Sequence, residues 1–288
     1  MEVTGPRPSN GDPEQADTGG GTAVRSYTIQ HDGVTISASR GGRGRLMVFC
    51  PGLSSTQADL HELVGLLRRD YDVVTFDLRG HGLSSAADRY FFEDFLSDLV
   101  AVMSQLGHTE PGATPLLVGY SLGADLVVHY ASEHPGRVGE LVLIDGANPV
   151  PEPFITEADL PVFREMWEQM ADQLEGLRGT ARQVLLDARE ILDLNIQIDA
   201  IRSGILDRYR MIDRPITMIM STAMAGEGGQ GRALNQNWHA GLDRLVSDQP
   251  HISTFRLNAD HGLVLTHAPE IADIIRSTQA AVDSSTTI

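Results

Sequence analysis

Long apolar runs are missing from this chain of 288 residues. Hydrophobic residues make up 41% of it, yet no stretch approaches the roughly 18 consecutive apolar side chains of a membrane span. Cysteine is almost absent: Cys50 stands alone, which excludes an internal disulfide and with it a stapled miniature fold. Aromatic residues reach only 6% and mark no interface stripe. Basic residues are outnumbered, 22 Lys and Arg against 39 Asp and Glu. The resulting net charge of −17 repels phosphate backbones and anionic lipid heads, so neither nucleic acid nor a membrane is expected as a partner. The opening MEVTGPRPSNGDPEQ has neither the basic nor the apolar segment of an export signal, and a cytoplasmic location is expected. The length suits one large α/β domain or two small ones.

What is present divides by pattern. Residues 1–23 are rich in Gly, Pro, Ser, Asp and Glu and hold too little apolar surface to offset the entropy of ordering, so a disordered leader is expected. VRSYTI and VTISASR then flank Gln30-His31-Asp32-Gly33, the signature of a β-hairpin. Four short apolar runs follow, Leu46–Cys50, Val73–Leu78, Leu116–Tyr120 and Leu141–Asp145, each suited to a strand buried on both faces. Residues 58–69, 90–106 and 122–133, lying between them, space apolar side chains three and four apart and predict helices. Strand–helix repetition of this kind predicts an α/β domain with a mostly parallel central sheet and helices on both faces.

After Asp145 the alternation stops. Residues 161–177, 180–192 and 198–209 predict three helices with no strand between them, so residues 147–213 are expected to form a helical lid inserted over the sheet's carboxyl edge. The core resumes with strands at Ile216–Met220 and Ile252–Leu257 and helices near 232–246 and 269–282. The expected division is a core of 24–146 and 214–283, the lid between, and a frayed tail at 284–288.

Chemistry enters at Gly119-Tyr120-Ser121-Leu122-Gly123, a G-x-S-x-G placed where a predicted strand meets a predicted helix. A tight turn there needs small residues on either side and lifts the serine hydroxyl out of the sheet beside the positive end of a helix. Phe49-Cys50-Pro51-Gly52-Leu53 follows the third strand, and Asp77-Leu78-Arg79-Gly80-His81-Gly82-Leu83-Ser84 follows the fourth. Together these motifs resemble the α/β-hydrolase superfamily over nearly all of residues 24–282. The resemblance implies an α/β-hydrolase fold with Ser121 as nucleophile and an oxyanion hole made by the backbone N–H groups of Leu122 and Leu53. Pro51-Gly52 stands where His-Gly is more usual in that family. Relatives that open epoxides or displace halide carry Asp at the elbow, and the serine argues against both activities.

A serine hydroxyl needs a base to take its proton. Of ten histidines, His261 is the candidate, because Asn258-Ala259-Asp260-His261-Gly262 directly follows the last predicted strand at the edge that holds the elbow. Many relatives carry the orienting acid just after the penultimate strand, but there this chain reads Ser221-Thr222-Ala223-Met224-Ala225-Gly226-Glu227, without Asp. Asp145, 24 residues past Ser121, ends the strand after the elbow helix. This placement resembles polyketide and nonribosomal-peptide thioesterases. Asp145 is therefore the leading acid, with Glu227 and Asp260 as alternatives.

Gly226-Glu227-Gly228-Gly229-Gln230-Gly231 satisfies G-x-G-x-x-G but comes late in the chain, stands off its strand and lacks the acidic partner of a dinucleotide site. A rim loop is expected instead. With no His, Cys or Asp cluster at ligand spacing, neither a metal nor a cofactor is expected. Phe154, Ile155, Leu160, Phe163, Met166, Trp167, Met170, Leu174 and Leu177 fall at helical spacing in the lid and suit an apolar roof over the serine. The expected activity is cleavage of an ester or thioester of an apolar acyl group, with thioesterase-like release favoured. The substrate is a small molecule or an acyl thioester, the latter free or carried on a protein. Carboxylesterase, carbon–carbon hydrolase or perhydrolase chemistry, or a non-hydrolytic receptor or cyclase, would use the same fold. An acidic carrier would need a basic patch, for which the lid offers Arg164, Arg178, Arg182, Arg189, Arg202, Arg208 and Arg210; a solvated helix face is the plainer reading.

Overall fold

Asp32 and Gly33 both adopt positive φ, 47° and 74°, and so close a two-residue turn between strands β1 (Arg25–His31) and β2 (Val34–Gly42). This hairpin opens the fold in a computed structural model that describes residues 23–228 and 231–286. The expected leader, apart from Ala23, lies outside the described residues, as do the last two residues of the expected tail. β3 (Arg45–Cys50), β4 (Tyr71–Phe76), β5 (Leu116–Tyr120), β6 (Glu140–Ile144), β7 (Ile216–Ser221) and β8 (Ser253–Leu257) complete one sheet in the order β1-β2-β4-β3-β5-β6-β7-β8. β2 pairs antiparallel with β1 and β4, and all later pairs are parallel.

Alternation along the central strands sets the two cores. Met47, Phe49, Val118 and Ile144 face α1 (His61–Leu67) and α9 (Ala268–Thr286), with the short α8 (Leu263–Thr266) beside them. Val48, Cys50, Leu117 and Leu143 face the opposite core, which includes side chains of α2 (Phe92–Thr109), α3 (Leu122–Glu133) and α7 (Gly231–Asp248). The order reverses at β3, whose neighbours are β4 and β5, so the loops leaving β3 and β5 diverge and open a crevice at the carboxyl edge.

Between β6 and β7 lie α4 (Leu160–Glu175), α5 (Ala188–Ser203) and α6 (Ile205–Arg210). The helix expected at 180–192 is not formed as such. Gln183 and Leu185 instead pair in extended form with the β4 loop, through Gly82 N–H to Gln183 C=O at 2.8 Å and Leu185 N–H to Gly80 C=O at 2.7 Å. α5 starts only at Ala188, where Asp187 and Glu190 form a reciprocal capping box that stops it extending backwards.

Candidate active site

Ser121 sits at φ 52° and ψ −121°, a conformation that costs a non-glycine residue energy and is held by its surroundings. Its N–H bonds Ile144 C=O at 2.9 Å, tying the elbow to β6. Both flanking glycines are required by close approach. A Cβ on Gly119 would overlap the Gly123 carbonyl, and one on Gly123 would overlap the Cys50 carbonyl.

The elbow hydroxyl meets a histidine. Ser121 Oγ is 2.9 Å from His261 Nε2, and His261 Nδ1 is 2.8 Å from Asp145 Oδ2. In this network Nδ1 carries the proton and Nε2 is free to accept from the serine. His261 lies in the loop after β8. Its N–H bonds Met224 C=O at 3.3 Å and its C=O accepts the Tyr120 hydroxyl at 2.7 Å. The two rings also lie 5.4 Å apart. Burial foremost, then the charges of Asp145 and Asp260, holds the Tyr120 phenol above its ordinary pKa, so it serves as a neutral donor.

Asp145, at φ 46° directly after β6, is wholly buried. A buried carboxylate must be met by donors, and four groups supply them. Ser221 gives its N–H at 2.9 Å and its hydroxyl at 2.8 Å, Trp238 gives Nε1–H at 3.1 Å, and His261 gives Nδ1–H. Neither alternative acid reaches the imidazole. Glu227 is exposed on the loop before α7, and Asp260 turns to cap the Gly262 N–H at 2.8 Å. Ser221 and Trp238 were not found from the sequence. The only signal was that Ser221 ends β7, beside the place where many relatives carry the acid.

Leu53 and Leu122 both border the same cavity as Ser121 and His261, and among the described residues no protein acceptor engages either N–H. The loop carrying Leu53 is shaped from below by a residue that the sequence showed only as part of a motif. His81 is fully buried, with Nδ1 2.8 Å from Arg79 C=O and Nε2 accepting the Ser54 N–H at 3.1 Å. That bond holds Ser54 at φ 61° directly after Leu53. Burial lowers the His81 pKa to about 4, so it is the neutral acceptor this geometry needs. The rest of the β4 motif supports it. Asp77 accepts the N–H groups of Gln57 and Leu83 at 2.8 and 3.0 Å, and Arg79 forms a buried bidentate pair with Asp98 at 2.7 Å on both arms.

The cavity has a volume of about 480 Å³, and the segment between β6 and β7 contributes many of its lining residues. Of the expected roof residues, Phe154, Ile155, Phe163, Met166, Trp167 and Met170 line it. Leu160, Leu174 and Leu177 do not. Of the seven arginines that the sequence offers for a basic patch, six face a carboxylate among the described residues, with Arg164 the exception. Arg178 faces Glu175, Arg182 Asp59, Arg189 Asp193, Arg202 Asp125, Arg208 Glu133 and Arg210 both Asp207 and Asp248. At the glycine-rich stretch 226–231, of which Gly229 and Gln230 lie outside the described residues, Asn235 bonds Ala225 N–H and Gly226 C=O at 2.8 and 2.7 Å. Among the described residues no group of three or more His, Cys, Asp or Glu side chains could hold a metal ion, and no helix is long and apolar enough to cross a membrane.

Residues 45–223 match the family model described as the alpha/beta hydrolase fold. The chain belongs to the α/β-hydrolase fold family. This α/β-hydrolase is 28% identical to the 2-(acetamidomethylene)succinate hydrolase of Mesorhizobium japonicum over 69% of its own length and 66% of that protein's. Two further curated relatives, from Rhodococcus erythropolis and Mus musculus, are matched over about half of their length, 45% and 56%. Among solved structures, a carboxylesterase of Nitrososphaera gargenis superposes with a TM-score of 0.68 at 18% identity, covering 91% of this chain and 100% of that one. The thioesterase domain from the curacin biosynthetic pathway superposes with a TM-score of 0.60 at 20% identity, covering 88% and 99%. At these identities the superpositions speak for the fold alone.

Proposed function

We propose that this α/β-hydrolase is a serine hydrolase that cleaves a carboxylic ester or thioester through an acyl-enzyme on Ser121. The carrying observation is the unbroken line Ser121 Oγ, His261, Asp145, with the serine end opening into an apolar cavity. In the proposed cycle His261 Nε2 takes the Ser121 proton as Oγ attacks the substrate carbonyl. The Leu53 and Leu122 N–H groups donate to the oxyanion, an arrangement worth about 3 kcal/mol per donor in such sites. Collapse of the tetrahedral adduct breaks the bond to the alcohol or thiol, which leaves with the proton from His261. Water, deprotonated by the same imidazole, then attacks the acyl-enzyme and releases the acid and free Ser121. Asp145 keeps the imidazole in one tautomer and stabilises the imidazolium.

The methionine- and aromatic-lined roof supports an apolar acyl group, since such side chains adapt to chains of varied shape. Acyl release from a thioester, as in biosynthetic thioesterases, is the favoured form, supported by the acid following β6. A panel of acyl p-nitrophenyl esters and acyl-N-acetylcysteamine thioesters tests this reading. Burst release of p-nitrophenol or thiol, equal to enzyme and absent in Ser121→Ala, is expected. Turnover without a burst and unaffected by Ser121→Ala refutes it.

A further inference from the structure

One polar side chain in the cavity wall has no part in the proposed acyl transfer. Asp199 on α5 borders the same cavity as Ser121 and is only 8% exposed. Its Oδ2 accepts the Ile155 N–H at 2.9 Å. No Arg or His lies within ion-pair distance of it among the described residues. The cation expected to answer it, Arg202 on the same helix, is already engaged. Its Nε and Nη2 bond both oxygens of buried Asp125 at 3.0 and 2.7 Å, and its guanidinium lies 5.5 Å from the centre of the Trp238 ring. Arg202 also lines the cavity and its charge reaches Asp199, but its hydrogen bonds go to Asp125, so Asp199 has no ion pair of its own in a cavity lined mainly by apolar side chains. N–H bonds alone can hold a buried carboxylate, as those of Gln57 and Leu83 hold Asp77, but Asp199 also borders the cavity, where a ligand's cation would offset the cost of its burial. Burial raises the Asp199 pKa from its ordinary value, with the Ile155 N–H, the Arg202 charge and the Phe154 N–H pulling it back and the Asp125 charge adding to the rise.

We infer that the cavity selects substrates carrying an ammonium group on an apolar body, with the ammonium seated against Asp199 while the ester or thioester carbonyl lies at Ser121. This rests on the proposed reading of Ser121 and adds the substrate class. A carboxylate-bearing substrate would meet Asp199 as a like charge. Trp167 borders the same cavity, and an indole is an aromatic partner that an ammonium favours. The chain's net charge of −17 attracts cations in general.

The test compares p-nitrophenyl esters of aminohexanoic acid and of heptanoic acid, which have nearly the same length and differ in one charge. Wild-type protein is expected to favour the amino ester by about ten-fold in kcat/KM, expressed mainly in KM. Asp199→Asn keeps an oxygen for the Ile155 N–H but loses the charge, and is expected to abolish that preference while raising activity on the heptanoate ester. Equal loss on both esters, or no wild-type preference, overturns the inference, since a residue that only anchors the Ile155 loop would affect both alike. A second measurement needs no variant: hexylamine is expected to inhibit heptanoate ester hydrolysis competitively and hexanol to do so at least ten-fold more weakly; equal inhibition overturns the inference. If neither ester turns over, the hydrolase reading fails by itself. Calorimetric titration with hexylamine then decides on Asp199, with binding that Asp199→Asn weakens supporting the inference and no binding overturning it.

Discussion

Asp145 Oδ2 lies 2.8 Å from His261 Nδ1, across 116 residues of chain, and the carboxylate belongs to the loop after β6 and not to the loop after β7. β6 and β7 are neighbours, so either loop can bring an acid to the same imidazole. Here β7 ends on Ser221, which donates to the acid instead of replacing it.

The first expectation concerns that acid. Asp145→Asn is expected to lower kcat by a factor on the order of ten thousand, because the amide favours the wrong imidazole tautomer. Glu227→Gln, on an exposed loop with no bond to His261, is expected to leave kcat within two-fold, roughly the scatter of such assays. Steady-state kinetics on an activated ester checks both.

The second concerns the groups that hold the carboxylate. Ser221→Ala and Trp238→Phe each remove one donor from a buried Asp145, and a bond to a charged group is worth about 2 kcal/mol. Each is expected to reduce kcat by about ten-fold, and the double variant to depart from additivity, since the two donors share one acceptor. Equal kcat in wild type and both single variants would remove these residues from the account.

The third follows from His81. Its folded pKa, about 4, lies below the ordinary histidine value of 6.5, so the unfolded chain binds more protons between those limits. Stability from this group is therefore complete above about pH 6.5 and is lost as pH falls to about 4, by about 3 kcal/mol in total. Denaturant unfolding at both ends of this range, in wild type and in His81→Gln, isolates the effect. The glutamine variant keeps an acceptor for Ser54 and is expected to show a flatter profile.

The fourth concerns the elbow. Gly123→Ala would drive a methyl group into the Cys50 carbonyl, which belongs to β3 and cannot move aside. A loss of about 3 kcal/mol or more is expected, read as a fall in thermal midpoint or as insoluble protein.

Much of the framework was legible because its signals are local. The apolar runs of β3 to β7 announce strands covered on both faces, and α3 begins at Leu122 and ends at Glu133 as its periodicity predicts. The stretch 180–192 misled because its apolar spacing is satisfied in extended form against Gly80 and Gly82, a contact set by a distant loop. α5 starts where Asp187 and Glu190 form their capping box. Motif and edge position point to Ser121 and His261, and Asp145 leads as the acid on a resemblance, with Glu227 and Asp260 as alternatives. What separates them is burial and the donors of Ser221 and Trp238, and these depend on strand order. Asp199 gave no signal at all, because in sequence it is one more acidic residue on an amphipathic helix.

The most direct measurement of the central claim is intact-mass analysis after exposure to a fluorophosphonate, which reacts with a serine only when a neighbouring base has activated it. The account expects a single adduct on the wild-type protein, none on Ser121→Ala, and a strongly slowed reaction on His261→Ala. A folded wild-type protein that takes no adduct, or a Ser121→Ala variant that still takes one, would contradict it.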